Sequence, residues 1–366
     1  MTTRIAFNDF TRYDHSADVT AIQRVLRSGW LILGNEVRQF EHEWADRCGV
    51  NHAVGVGNGL DAIEIGMRSL GIGAGDEVIT TPMTAVATVL GIIRAGATPV
   101  MADIDPTTAL LDPRSVLRCI STKTRAVLIV HLYGQIRSME TWQQLCSSYG
   151  LLLIEDCAQA HDATSHGQVA GTFGAFGAYS FYPTKNLGAA GDAGAIITND
   201  LELSNRSRTL RNYGQVNRYE HPLTGLNSRL DEMQAAILRG RLPQLSTWTA
   251  RRREIAEMYR DLLANPAITL MAPPASPTEH VHHLFVVLTE QRDELQLYLE
   301  SRGIESLIHY PIPAHLQRSL KLLPCDPNGL TAAEAHAAKC LSLPCAPHLS
   351  DSDVATVVDA VNSFGR

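Results

Sequence analysis

From Ala53 to about Asp200, short apolar runs alternate with amphipathic stretches. Residues 53–56, 78–80, 98–101, 126–130 and 151–155 read as strands, each too short for a helix and bounded by turn residues. Between the first two, Ile63, Ile65, Met67 and Leu70 mark an amphipathic helix. Such alternation predicts a mostly parallel sheet with helices on both faces. Upstream, a helix such as 21–27 leads through a turn at 29–34 into a second helix at 36–48. There Val37, Phe40 and Trp44 fall at i, i+3 and i+7. Downstream, 230–264 is helical in character with one interruption at Pro243. A β-α-β pattern follows (strand 282–288, helix 292–302, strand 305–310), with a closing helix at 351–364. The expected division is a large α/β domain at 1–240 and a smaller α+β domain at 241–366, with no internal repeat.

The strand at 151–155 changes this from architecture to chemistry. Leu151-Leu152-Leu153-Ile154 is apolar on both faces, and Glu155 and Asp156 come at the carboxyl end, where open α/β sheets bind their ligands. A second apolar strand, Tyr179-Ser180-Phe181, stops near Pro183 and delivers Lys185 into a glycine-rich turn, 188–194. A lysine among apolar residues is partly desolvated, so its pKa falls and its amine becomes a usable nucleophile. Pyridoxal phosphate chemistry needs such a lysine for the Schiff base and a carboxylate for the pyridine nitrogen. Lys185 and Asp156 supply both types. Taken singly, Lys185 reads as a surface lysine and Asp156 equally as a helix cap.

A phosphate cradle is the third requirement. Gly55-Val56-Gly57-Asn58-Gly59-Leu60 joins a strand to a helix start, where free amides receive an anion, here at Gly59 and Leu60. The spacing admits a dinucleotide site, since Ala62 is an allowed last position of that fingerprint. Its depth in the chain, with a Schiff-base candidate after it, argues against one.

Composition narrows the class further. The chain has 366 residues, 45% hydrophobic and 19% charged, enough for one large core and one smaller. A net charge of −7 gives no support for nucleic-acid binding. Seven cysteines, none in C-x-x-C spacing, point to reduced thiols in a cytoplasm, and no apolar run approaches the ~18 residues of a membrane span. Histidines 161, 282, 283, 309 and 315 lack ligand spacing, so no metal is expected. His161 reads equally as structural and catalytic.

The segments Glu155-Asp156-Cys157-Ala158-Gln159-Ala160-His161, Ser180-Phe181-Tyr182-Pro183-Thr184-Lys185-Asn186-Leu187-Gly188 and Gly225-Leu226-Asn227-Ser228-Arg229-Leu230-Asp231-Glu232 resemble the DegT/DnrJ/EryC1/StrS sugar aminotransferases. The likeness runs from Gly29 to the chain end. It implies an aspartate aminotransferase-like fold (fold type I) with a mostly parallel seven-stranded sheet and a smaller α+β C-terminal domain. It implies pyridoxal 5'-phosphate, cycling through pyridoxamine phosphate, with Lys185 as the Schiff-base and proton-transfer residue. Asp156 would meet the pyridine nitrogen and Gln159 the ring oxygen or one ring face. Ser180, Gly59 and Leu60 would hold the phosphate, and Asn227 would reach the neighbouring subunit's phosphate in a homodimer with shared sites. Arg229 and Asp231 are expected to stabilise a helix start and the interface.

Within the family, Gly57-Asn58-Gly59-Leu60-Asp61, Leu210-Arg211-Asn212-Tyr213-Gly214 and the segment 307–317 are most similar to the branch that aminates C3 of dTDP-linked 3-keto-6-deoxyhexoses. L-Glutamate would be the amino donor, and His309, Tyr310 and Tyr213 the substrate-facing residues. The same family offers C4 amination as the alternative. A sister class that removes a sugar hydroxyl carries histidine where Lys185 stands, and a non-catalytic regulatory relative would lose Lys185 or Asp156. A nicotinamide dehydrogenase built on the glycine cluster is the reading from another class. Three positions depart from the pattern: Ala85 where an aromatic residue is frequent, Asp162 where glycine is common, and Ala175 where aspartate is common.

Overall fold

The computed structural model describes residues 4–365. Residues 1–3 and 366 of the two expected domains lie outside them. Helices α1 (Ser16–Ser28) and α2 (Asn35–Cys48) precede the sheet. Strands β1 (His52–Val56), β2 (Glu77–Thr80), β3 (Thr98–Met101), β4 (Thr124–Val130) and β5 (Leu152–Asp156) come first. A small β6–β7 hairpin (Thr164–Ser165, Gln168–Val169) follows, then β8 (Phe176–Ser180) and β9 (Gly194–Thr198). Among them run α3 (Gly59–Ser69), α4 (Val86–Arg94), α5 (Pro113–Cys119) and α6 (Met139–Tyr149), with α7 (Leu201–Leu210) after β9. The seven-stranded order is β1-β9-β8-β5-β4-β2-β3, and only β9 runs antiparallel to its neighbours.

Two cores flank this sheet. Val37, Phe40 and Trp44 of α2 pack with Tyr179 and Phe181 on one face, and Ile63, Ile65 and Met67 of α3 pack with Phe176 on the other. The strand's period of two sends Phe176 and Tyr179 to opposite faces. With both faces covered, the strand ends are left as the polar rim.

The α8 helix (Glu232–Arg241) and α9 (Leu245–Leu262) are broken by a 3-10 turn, Leu242–Gln244, at Pro243 as expected. Beyond them β10 (Thr269–Leu270), β11 (Phe285–Leu288) and β12 (Cys340–Leu343) form an antiparallel sheet. With it lie α10 (Arg292–Ser301), α11 (Thr331–Lys339) and α12 (Asp351–Ser363). A third core around Tyr259, Phe285, Leu299 and Leu343 also takes in Ile5 from the other end of the chain. The strand expected at 305–310 is corrected: only Leu307 pairs, by a single bridge to Ser342. Pro311 and Pro313 follow directly, and proline has no N–H to donate to a ladder. Among the described residues no helix is long and apolar enough to cross a membrane.

Candidate active site

Asp156 is the last residue of β5 and 6% exposed. Its carboxylate is held from two sides: Thr88 Oγ1 on α4 donates to Oδ2 at 2.7 Å, and the Ala158 amide donates to Oδ1 at 3.0 Å. Thr84 Oγ1 lies 2.7 Å from Thr88 Oγ1 and extends the chain. Glu155, one residue earlier, points to the other side of the strand. There it accepts the amides of Gly171, Phe173 and Gly174 and contacts His131 Nε2 at 2.9 Å. Of the two adjacent carboxylates, one ties down a loop and the other sits at the strand end.

The glycine cluster joins β1 to the start of α3. Asn58 caps α3, its side chain accepting the Asp61 amide at 2.9 Å. Among the described residues the amides of Gly59 and Leu60 donate to nothing. Ser180 at the end of β8 stands beside them, so close that a Cβ on Gly59 would lie 2.7 Å from the Ser180 Cβ. Only glycine fits there. Ser228 secures the loop from behind, accepting the Gly57 amide at 3.0 Å and donating to Asp61 at 2.6 Å. Asn227 beside it is exposed and free to face outward.

Lys185 follows β8 after a tight turn, its amide bonded to the Tyr182 carbonyl at 2.8 Å. The return at Gly188 brings that residue against the Pro183 carbonyl, where a Cβ would come within 2.3 Å. Burial lowers the lysine pKa to about 8, with Asp156 pulling the other way. Strand pairing sets Asp156 opposite Ala178 on β8, so the carboxylate stands beside the strand end from which the Lys185 loop departs. Next to it, Asn186 is fixed by His283 Nδ1 at 3.1 Å and by donating to the Val281 carbonyl at 3.2 Å. A cavity of about 210 Å³ opens along this loop, bordered by Lys185, Tyr13, Trp248 and Arg252.

Gln159 is buried and bridges two tyrosines, accepting from the Tyr133 amide at 2.6 Å and donating to the Tyr310 hydroxyl at 3.2 Å. His309 lies in the same turn, with Nδ1 2.9 Å from Ser342 Oγ. Burial and the Lys185 charge lower the His309 pKa to about 4, and burial raises Tyr310 to about 12. Both are therefore neutral near pH 7. Tyr213 instead lies under the Arg229 guanidinium, 5.2 Å away, and is about half exposed. None of its contacts reaches Lys185 or Asp156.

Several features had no signal in the sequence. Thr88 lies 68 residues from the carboxylate that it orients, and Tyr133 is an ordinary aromatic until the fold brings it to Gln159. Asp231 stands at the start of α8 without capping it. Its neighbour Glu232 does the structural work, accepting the amides of Gly34, Glu36 and Val37. Asp162, where glycine is common, adopts the left-handed region at φ 67° and forms an ion pair with Arg47. Nothing in the structure explains Ala175. His161 is fully buried among Trp44, Tyr179 and Phe181. Burial and Lys185 push its pKa to about 3, with the Ser180 backbone opposing. It packs as a neutral ring. His131, Glu155 and Cys157 come together as metal ligands would. Yet the Glu155 oxygens are occupied by amides, and burial holds the Cys157 thiol protonated.

Residues 13–362 match the DegT/DnrJ/EryC1/StrS aminotransferase family. The chain is 46% identical over 348 residues to the dTDP-3-amino-3,4,6-trideoxy-alpha-D-glucose transaminase of Streptomyces venezuelae, covering 94% of this chain and 91% of that one. It is 45% identical over 346 residues to the dTDP-3-amino-3,6-dideoxy-alpha-D-galactopyranose transaminase of Aneurinibacillus thermoaerophilus, covering 94% of each. Among solved structures, S. venezuelae DesV in complex with a ketimine intermediate matches with a TM-score of 0.96 at 44% identity over 100% of both chains. The chain belongs to the DegT/DnrJ/EryC1/StrS family and is an aminotransferase.

Proposed function

We propose that the protein transfers an amino group from L-glutamate to C3 of a dTDP-linked 3-keto-6-deoxyhexose, giving a dTDP-3-amino-3,6-dideoxyhexose. It does so as a cytoplasmic homodimer that uses pyridoxal 5'-phosphate. The observation that carries this reading is one site joining a desolvated lysine, a fixed carboxylate and two unfilled helix-start amides. The residues fit the cofactor: the amides of Gly59 and Leu60 with Ser180 suit a phosphate, and the Gly59–Ser180 approach leaves no room for a side chain. The names of the two relatives, both acting at position 3 of a dTDP sugar, support the regiochemistry.

Bound there, the cofactor supplies an electron sink for the carbon that loses its proton. Lys185 would hold the cofactor and, when free, would move the proton at the substrate carbon, a task suited to an amine with a pKa of about 8. Asp156, whose carboxylate is fixed by Thr88, would hold the pyridine nitrogen protonated. Gln159 would meet the ring oxygen or cover one ring face. Asn227, exposed here, would reach the phosphate in the neighbouring subunit. His309 and Tyr310 face the sugar nucleotide. The large domain, 1–240, would hold the cofactor, and 241–366 would close over the substrate.

The test uses cofactor-loaded protein with L-glutamate and a dTDP-3-keto-6-deoxyhexose, with the product's amine position read by NMR. Amine at C3, absent with Lys185→Ala, is expected. Amine formed only from a 4-keto sugar would reverse the regiochemistry, and no glutamate-dependent loss of the visible cofactor band would reject the assignment altogether.

A further inference from the structure

We infer that Tyr133 is a positioning residue for the keto-sugar half of the reaction, because it joins Gln159 to the His309–Tyr310 turn through a closed ring of hydrogen bonds. This rests on the function proposed above. The Tyr133 amide donates to Gln159 Oε1 at 2.6 Å. Gln159 Nε2 donates to the Tyr310 hydroxyl at 3.2 Å. The peptide link leads from Tyr310 to His309, whose carbonyl accepts from the Tyr133 hydroxyl at 2.6 Å. That closes the ring, one residue gripping it with its backbone and its side chain.

The proton bookkeeping is consistent. The one hydroxyl hydrogen of Tyr133 goes to the His309 carbonyl, so His336 Nε2, 2.8 Å from the same oxygen, must carry a hydrogen and donate. His336 Nδ1 is buried without a partner, as expected for the bare nitrogen of that tautomer. Burial holds the phenol protonated far above neutrality and lowers His336 to about 4, so neither changes charge near pH 7. Tyr133 is 1% exposed and sits in the left-handed region at φ 63°. A bulky side chain stays in that sparsely populated conformation only where its surroundings over-determine it. Here the two ends of the residue are pinned to different parts of the site.

The two grips are chemically separable. Tyr133→Phe keeps the backbone bond to Gln159 and removes the hydroxyl's bonds to the turn and to His336. It therefore leaves the cofactor side in place and loosens His309 and Tyr310, the groups facing the sugar nucleotide. A tyrosine that only filled space would not divide its effect this way.

The experiment compares wild type, Tyr133→Phe and His336→Ala, each loaded with cofactor. The glutamate half reaction is followed by the visible band, and the second half by KM and kcat with a dTDP-3-keto-6-deoxyhexose. For Tyr133→Phe the expected result is a KM for the keto sugar raised about tenfold, the worth of one well-formed hydrogen bond. The glutamate half reaction should stay within about twofold of wild type. His336→Ala, which removes the hydroxyl's second partner and the ring stacked on Tyr133 but keeps the bond to the turn, should shift the same KM in the same direction and by less. Should Tyr133→Phe fail to fold, His336→Ala alone decides. Equal losses in both half reactions, or no change in the sugar KM, would overturn the positioning role. A wild type that shows no glutamate half reaction would instead fault the proposed function, before any variant is compared.

Discussion

At Lys185 the fold changes chemistry through solvation. Burial lowers the amine to about 8 from the usual 10.5, against the pull of Asp156. Only the neutral amine is nucleophilic, so its reactivity should rise with pH up to about 8 and level above. Acylation of the cofactor-free protein by an amine-selective ester, read at Lys185 by peptide mass spectrometry, checks this. A rate still climbing at pH 10 would mean an ordinary lysine. The stability consequence has a definite sign. Between about pH 8 and 10.5 the unfolded lysine holds a proton that the folded one has released, so this residue makes stability rise with pH across that window. Lys185 and Asp156 could be picked out in the sequence because Asp156 ends an apolar strand and Lys185 follows one after a short turn. Thr88 was not, since a helical threonine says nothing of a carboxylate 68 residues later. Asp162 reads as a departure until the Arg47 ion pair and its φ of 67° are seen together.

Among elements, α2 and α8 are joined by one carboxylate. Glu232, 3% exposed, accepts the amides of Gly34, Glu36 and Val37 at 2.7, 2.9 and 2.9 Å, so the first turn of α2 is capped by a residue almost two hundred positions away. Those amides have no partner within their own helix, and a negative charge there also meets the positive end of the helix dipole. Glu232→Ala should therefore destabilise the protein by roughly 3 kcal/mol, through stranded buried donors. Glu232→Gln should cost less, since one amide oxygen remains to accept. Urea midpoints at equal slope measure both, and a change under about 0.5 kcal/mol for alanine would show that water replaces the carboxylate. Elements with strong periodicity were readable in advance: α2 from Val37, Phe40 and Trp44, and the break between α8 and α9 from Pro243. β9 was passed over because glycines precede it, and 305–310 was misread because its apolar residues satisfy a strand pattern without a partner to pair with.

At the scale of the molecule, the described surface keeps several large apolar residues exposed. Trp30, Leu31 and Ile32 are 64, 46 and 40% exposed, and Tyr219 is 81% exposed in the segment that pairs back on itself near Asn227. A run of exposed apolar residues such as Trp30-Leu31-Ile32 suits a self-complementary interface. The proposed dimer makes a prediction that a monomer cannot meet. If Asn227 serves the neighbouring site, Lys185→Ala and Asn227→Ala fall in the same site when they meet in one dimer. A mixed dimer then holds one site with both residues intact and one site with neither. Unfolding the two weakened variants together and refolding them at equal amounts should recover about a quarter of wild-type activity, because about half of the dimers are mixed and each has one working site. Refolded alone, neither variant should approach that value. Activity no greater than the mean of the two separate samples would mean that each subunit builds its own site, and Asn227 would then belong to the local loop alone.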